Sequence, residues 1–154
     1  MIMKKFSNLV ALVLVFVLCI VMQGCKAKEM YGMNKPWKMQ DNNFSITSTR
    51  LVDTYSVDSS TVITPTPNCV LLVISCKVTL SDSCKLEEIA VYKDETESEC
   101  YTLFEGPYQR DTGLDYLFSI PKDQISSETI ERYRLQIRLS DNNISQSCLF
   151  VLDE

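Results

Sequence analysis

From Asn43 to the C-terminus, short segments rich in β-branched and aromatic residues alternate with clusters of turn-forming residues. This alternation is typical of an antiparallel sandwich or barrel, so the sequence predicts an all-β domain. The predicted strands are Phe44–Val52, Val70–Leu80, Leu86–Tyr92, Cys100–Phe104, Tyr116–Ile120, Arg132–Leu139 and Ser147–Leu152.

Two of these strands show a clear alternation of apolar and polar side chains. In the second, every other residue from Val70 to Leu80 is apolar, while Ser75 and Lys77 fall on the opposite face. In the sixth, Tyr133 to Leu139 follow the same rule. Because successive side chains of a strand point to opposite faces, each strand should bury one face and expose the other.

The N-terminal 42 residues show a different pattern. A basic start is followed by an uncharged apolar run from Leu9 to Met22, and the chain turns polar after Cys25. This run is shorter than the roughly 20 residues needed to span a bilayer, so it predicts a signal peptide over residues 1–24. Residues 26–42 have no sustained period and are predicted to form a tether. We therefore expect a leader at 1–24, a tether at 25–42 and one domain at 43–154.

The residues Met22-Gln23-Gly24-Cys25 resemble the lipobox of bacterial lipoproteins. Leu is more usual where Met22 stands, and Ala, Ser or Thr where Gln23 stands. The resemblance implies that Cys25 becomes an acylated N-terminus and anchors the protein to membrane lipid, facing outside the cytoplasm. A secretory cleavage site that happens to precede a cysteine is the alternative.

The number and spacing of the strands suggest an immunoglobulin-like antiparallel β-sandwich of about seven strands. The segment 116–123, Tyr-Leu-Phe-Ser-Ile-Pro-Lys-Asp, is similar to an aromatic, β-branched, Pro-x-Asp segment of bacterial single-domain Ig-like lipoproteins of unknown function. A Pro-Gly pair often precedes that segment, whereas residues 112–115 of this chain are Thr-Gly-Leu-Asp.

Charge and composition narrow the function classes. Residues 1–24 contain two of the 15 basic side chains and none of the 20 acidic ones, so the chain from Cys25 has a net charge of −7. Such an acidic chain has no electrostatic footprint for nucleic acid. Histidine is absent, which excludes Ser-His-Asp and Cys-His catalysis. The glycine spacing of nucleotide-binding loops is also missing, and no cofactor is predicted.

Three arginines of the sixth predicted strand, Arg132, Arg134 and Arg138, are a possible interaction face. Guanidinium groups suit carboxylate and phosphate partners. The alternative is that they pair with acids such as Glu87 or Glu88 on a neighbouring strand.

Metal binding is a further alternative, although no metal site is predicted. The acidic loop with Asp94, Glu95, Glu97 and Glu99 lacks the frame of a calcium-binding loop and is expected to be a solvated hairpin tip. Thioethers can bind Cu(I), but Met30, Met33 and Met39, with Trp37, are more simply read as apolar packing.

Five cysteines follow Cys25, so at least one must be free or bridge another chain. Cys84 and Cys100 flank the third predicted strand and are the favoured disulfide, with Cys69 left unpaired. Cys76 and Cys148 both fall on apolar faces, where they either form a second bridge or pack as buried thiols.

These observations favour a membrane-anchored extracytoplasmic lipoprotein whose domain is a non-catalytic interaction module for an envelope or surface partner. The rivals are an extracytoplasmic enzyme that uses carboxylates or thiols, and a metal-binding envelope protein. A cleft with two facing carboxylates would favour the enzyme.

Overall fold

The computed structural model describes residues 29–94 and 99–152 of the chain. Most of these residues lie in strands that form two main sheets, so the predicted all-β sandwich is confirmed. No helix within the described ranges has the length and apolar character needed to cross a bilayer. In chain order the elements are β1 (Met30–Tyr31), β2 (Trp37–Met39), β3 (Asn42–Val52), β4 (Tyr55–Ser56), β5 (Val62–Ile63), β6 (Cys69–Thr79), β7 (Lys85–Lys93), β8 (Glu99–Thr102), β9 (Glu105–Arg110), β10 (Gly113–Pro121), a 3-10 turn (Ile130–Arg132), β11 (Tyr133–Asp141) and β12 (Ile144–Val151).

The strand order is that of an immunoglobulin-like domain. Sheet A has the order β1-β12-β11-β7-β8 and sheet B the order β2-β3-β6-β10-β9, while β4 and β5 form a separate hairpin. In immunoglobulin domains the first, second, fifth and fourth strands form one sheet, and the third, sixth and seventh form the other. Here β3, β6, β10 and β9 occupy the first set in that order, and β7, β11 and β12 form the second. The short strands β1, β2 and β8 extend the sheets at their edges.

All seven predicted strands overlap observed ones, namely β3, β6, β7, β8, β10, β11 and β12. The sequence does not predict β9, because it contains Gly106 and Pro107, which are typical of turns. β9 is an edge strand, where proline is tolerated because one side of the strand makes no ladder hydrogen bonds.

The prediction of a tether up to residue 42 is wrong for residues 30–39. β1 pairs in parallel with β12, and β2 pairs antiparallel with β3. Trp37 and Met39 are buried in the core. Two strands of two and three residues are too short to show a period, so the sequence does not reveal them.

The main core lies between the two sheets, where inward-facing side chains of both meet. Phe44 of sheet B and Phe150 of sheet A have ring centroids 5.7 Å apart. Tyr133, the first residue of β11, is fully buried, and its hydroxyl donates a 2.8 Å hydrogen bond to the carbonyl of Gln124. A tyrosine bonded in this way is a hallmark of immunoglobulin-like sandwiches and is known as a tyrosine corner.

The central strand β6 is buried on both faces. Leu72 and Ile74 point into the main core, whereas Leu71 and Val73 lie in a smaller cluster on the outer face of sheet B. Tyr55 of the β4–β5 hairpin packs in that outer cluster. The alternating pattern predicts only the inner face of this strand as buried, because the hairpin that covers the outer face gives no periodic signal. The hairpin thereby creates the edge of a cleft on sheet B.

Candidate functional site

The three arginines predicted as an interaction face do not form a single row. Arg138 lies opposite Glu88 in the β11–β7 register and forms an ion pair of 3.0 Å with it. Arg134 donates to backbone carbonyls of its own segment, and Arg132 belongs to the 3-10 turn. The alternative of cross-strand pairing is therefore confirmed for Arg138, and an interaction face that includes these arginines stays a prediction.

The predicted disulfide between Cys84 and Cys100 is wrong for this fold. Cys84 precedes β7, while Cys100 on β8 lies opposite Tyr92, near the far end of β7. Eight residues of extended strand span roughly 26 Å, but a disulfide needs Cα atoms within about 7 Å. The described cysteines are all free thiols.

The remaining cysteines are placed differently. Cys76 and Cys148 are buried in the main core, as expected for small hydrophobic side chains, and each is a free thiol. Cys69, which the sequence predicts to be unpaired, is a partly buried free thiol. The predicted lipidation site, Cys25, lies outside the described residues.

The residues considered for metals do not converge. Glu95 and Glu97 lie outside the described residues, and Glu99 forms an ion pair of 3.2 Å with Lys93. Met30 is an exposed residue of sheet A, whereas Met39, in β2 of sheet B, is buried in the main core. Residues 29–94 and 99–152 contain no group of three or more His, Cys, Asp or Glu side chains arranged to hold a metal ion.

A polar cleft of about 510 Å³ lies on the outer face of sheet B, beside the β4–β5 hairpin. Its walls are formed by side chains of four strands, β3, β6, β10 and β9, and the hairpin forms one border. We name it the Asp115 cleft, after the central one of its six defining residues: Thr47, Arg50, Tyr55, Ser75, Arg110 and Asp115.

Two strand irregularities shape this cleft. The β3–β6 register shifts between Ile46 and Ser48, so Thr47 is an extra residue, and its hydroxyl donates to the Ser75 carbonyl at 3.1 Å. The β9–β10 register shifts next to Asp115, where Gly106 has φ +108° and a Cβ atom would lie 2.8 Å from the Asp115 carbonyl oxygen. Extra residues of this kind bend a strand and redirect its side chains, and they are common next to functional sites.

The Asp115 carboxylate lies at the centre of the cleft and is only 4% exposed. Oδ1 accepts a 2.6 Å hydrogen bond from the Ser75 hydroxyl. Oδ2 accepts from the Tyr55 hydroxyl at 2.8 Å and from Arg50 Nη2 at 3.0 Å. Burial acts to raise the pKa of Asp115, but the hydrogen bonds from Ser75, Tyr55 and Arg50 outweigh it and hold this pKa below its ordinary value. The group is therefore a carboxylate at neutral pH.

Arg110 fastens the hairpin to the sheet. Its Nε donates to the Tyr55 hydroxyl at 2.7 Å and lies 3.7 Å from Asp115 Oδ2. Its two terminal nitrogens donate to the carbonyls of Val57 and Ser56 at 3.1 and 2.6 Å. The Arg110 guanidinium also lies over the Tyr55 ring, 4.7 Å from the centroid. All three nitrogens of this side chain are thus used to hold the hairpin in place.

Burial, followed by the hydrogen bond to Asp115, raises the pKa of Tyr55. The phenol therefore stays protonated at neutral pH and acts as a donor. The cleft presents hydrogen-bond donors around a carboxylate that already accepts three hydrogen bonds, and the described residues that line it include no second acid. Such a site is suited to binding a ligand through hydrogen bonds.

Sequence reasoning misses this cleft because its residues come from four separate strands and a hairpin. The one local signal is that Asp115 directly precedes three buried residues, at 116–118. A charge at that position must have partners, but the sequence does not say which.

The comparisons with known proteins agree with the architecture. No protein-family model matches the chain, and no curated protein is significantly similar to it. An uncharacterized beta-sandwich protein from Clostridium difficile 630, known from a crystal structure at 1.90 Å resolution, has a similar fold. The TM-score is 0.52 over 84% of this chain and 98% of that one, and the sequences are 9% identical. This likeness supports the β-sandwich and assigns no function.

Proposed function

We propose that this protein is a membrane-anchored lipoprotein that faces outside the cytoplasm, and that its Ig-like domain binds a partner without catalysing a reaction. The observation that carries the binding role is the Asp115 cleft, whose only carboxylate already accepts hydrogen bonds from three side chains. The two-carboxylate chemistry of a glycosidase would need a second acid in the same cleft, and none is found among the described residues that line it.

The anchor is supported by the similarity of residues 22–25 to a lipobox and by the basic and apolar segments before them. Only four peptide units separate Cys25 from Glu29, where the described fold begins, and they reach at most roughly 14 Å. A domain held this close to lipid would meet membrane and envelope components first.

Metabolic labelling with a fatty acid tests the anchor. We expect the wild-type protein to be labelled and Cys25→Ser to be unlabelled and either released from membranes or left unprocessed. Cys19→Ser removes the other cysteine of the N-terminal segment and should keep the label. Equal labelling of wild type and Cys25→Ser would refute the anchor.

Site-specific crosslinking in cells tests the binding role. A photo-reactive residue at Thr54, an exposed residue that lines the cleft, should give a discrete adduct with an envelope component. The same residue at Glu87, exposed on β7 of sheet A, should not. Absence of an adduct from Thr54, or the same adduct from both positions, would overturn this role.

A further inference from the structure

The Asp115 cleft carries an excess of positive charge. Arg50 and Arg110 both form ion pairs with Asp115, at 3.0 and 3.7 Å, so two guanidinium groups face one carboxylate. The other residues that line the cleft are uncharged. The cleft therefore has a local charge of +1 within a chain that is acidic overall. A bound anion would neutralise this remaining positive charge.

The two arginines differ in the donors that they leave free. All three nitrogens of Arg110 donate to Tyr55, Ser56 or Val57. Arg50 uses one N–H of Nη1 for the Ser75 hydroxyl and one of Nη2 for Asp115, and its Nε donates to none of the residues that the structure describes. A guanidinium has five N–H groups, so three remain on Arg50, whose side chain is 44% exposed.

The Arg50 guanidinium is held in position. Its bonds to Asp115 and Ser75 fix the orientation of its plane, and Asp115 itself is buried and bonded to Tyr55. A preorganised donor loses less conformational entropy when a ligand binds. The free N–H groups of Arg50 therefore form a preorganised pair of donors, which we call the Arg50 fork.

Hydroxyl groups line the same cleft as the Arg50 guanidinium. Thr54, Ser56, Ser48 and Thr112 line the same cleft, and each side chain can donate a hydrogen bond. The volume of about 510 Å³ is within the range of small-molecule sites. A compact group with several acceptor oxygens matches these donors.

We propose that the Asp115 cleft is an oxyanion-binding site in which the free N–H groups of Arg50 hold a carboxylate or phosphate group of the ligand. This inference rests on the proposed binding role and names the chemistry that the cleft recognises. Carboxylate and phosphate groups each accept two parallel hydrogen bonds from a guanidinium, which an ammonium group cannot supply in the same geometry.

Titration of the whole protein in detergent with sodium acetate or inorganic phosphate, at constant ionic strength in chloride, tests the site. The readout is the NMR signal of the Arg50 Nε–H, assigned by its loss in Arg50→Gln. We expect a saturable shift with at least one of the two anions. Saturation at a lower concentration of acetate indicates a carboxylate ligand, and at a lower concentration of phosphate a phosphate ligand. A linear shift with both anions would overturn the site.

Variants distinguish bidentate hydrogen bonding by Arg50 from a non-specific effect of positive charge. The readout is the change in the backbone amide NMR shifts of the cleft residues. Arg50→Gln should weaken anion binding at least about tenfold, and Arg50→Lys should also weaken it because it keeps the charge but loses the fork. Arg138→Gln removes the same charge from sheet A and should leave binding unchanged. Equal weakening by Arg50→Gln and Arg138→Gln would refute the proposal.

Thr54→Glu provides a second route that keeps Arg50. The new carboxylate would lie in the cleft and compete for the guanidinium, so anion binding should be lost while the protein stays folded. Undiminished anion binding in this variant would contradict the proposal. If the wild-type protein binds neither anion but still gives the adduct from Thr54, the oxyanion site alone is rejected. If it binds an anion but gives no adduct, the partner role alone is rejected.

Discussion

The side chain of Asn42 donates a 2.9 Å hydrogen bond from Nδ2 to Oδ2 of Asp141. Asn42 is the first residue of β3 in sheet B and Asp141 the last residue of β11 in sheet A, so the bond joins the two sheets. Ser81 and Ser83 also donate to the carboxylate, and Asn42 Oδ1 accepts the Ser81 backbone N–H at 2.7 Å. These four residues form an inter-sheet clasp at one end of the sandwich.

Asn42→Ala should lower the free energy of unfolding by about 2 kcal/mol, because a carboxylate loses one donor and the Ser81 N–H loses its acceptor. Urea unfolding followed by the fluorescence of Trp37, the only tryptophan of the chain, measures the change. Asp82→Ala alters an exposed residue next to Ser81 and should change stability by less than about 0.5 kcal/mol. Equal losses in the two variants would show that the clasp is not a stabilising unit.

Tyr133→Phe should cost about 1 kcal/mol, because it removes the hydroxyl that bonds to the Gln124 carbonyl and keeps the buried ring. Tyr108→Phe is the matched control, since the Tyr108 hydroxyl bonds to Glu105 at an exposed position. Its effect on the unfolding midpoint in urea should be smaller. If Tyr133→Phe is as stable as the wild type, the hydrogen bond of the tyrosine corner does not stabilise the fold.

Met39→Ala should destabilise the protein by about 3 kcal/mol, because it leaves a cavity beneath β2. The neighbouring Lys38 is exposed on the same strand, so Lys38→Ala should have little effect. Thermal unfolding monitored by circular dichroism compares the two. If residues 30–39 were a tether, neither substitution would change the melting temperature.

The contribution of Asp115 to stability should depend on pH. Its pKa is lower in the folded protein than its ordinary value. Such a carboxyl stabilises the fold above the unfolded pKa of about 4, and the contribution is lost as the pH falls through the folded pKa. The stability difference between wild type and Asp115→Asn should therefore be largest near neutral pH and shrink below about pH 4.

Urea unfolding of both proteins across that pH range gives the difference directly. Asp111→Asn changes an exposed acid near the same strand and is the control. A wild-type advantage that stays constant down to about pH 2 would contradict the assigned role of Asp115.

The thiols should react with iodoacetamide in the order of their exposure. Cys100 is exposed and should react first, whereas Cys76 and Cys148 are buried and should react only on unfolding. Burial raises the pKa of both buried thiols, which lowers their thiolate fraction further. Peptide mass spectrometry over an alkylation time course measures the rates. A peptide linking Cys84 to Cys100 within one molecule would contradict the fold.

The sandwich is predictable from the sequence because its long strands are rich in β-branched and aromatic residues and two of them alternate clearly between apolar and polar side chains. Alternation in β6 and β11 is visible without any knowledge of their neighbours. The two-residue strands β4 and β5 encode nothing of this kind. Their position, and with it the outer buried cluster, depends on Tyr55 and on partners distant in sequence.

The positions of the cleft residues and of the cysteines cannot be predicted from any one segment of the sequence. Arg50 and Asp115 are 65 positions apart and meet because β3 and β10 both pair with β6, and the extra residue Thr47 shifts the β3–β6 register. Cys84 and Cys100 are close in sequence, but the extended β7 that they flank carries them far apart. In both cases the distance is set by strand register, which no single segment specifies.

The parallel pairing of β1 with β12 places Met30 beside Leu149, so the beginning and the end of the fold are neighbours. Sheet A cannot be completed until the C-terminal strand β12 has been synthesised. Pairings between such distant segments are slow to form, and all-β domains that depend on them fold in milliseconds to seconds. A nascent chain that lacks its last strand therefore has no partner for β1 and remains incompletely folded.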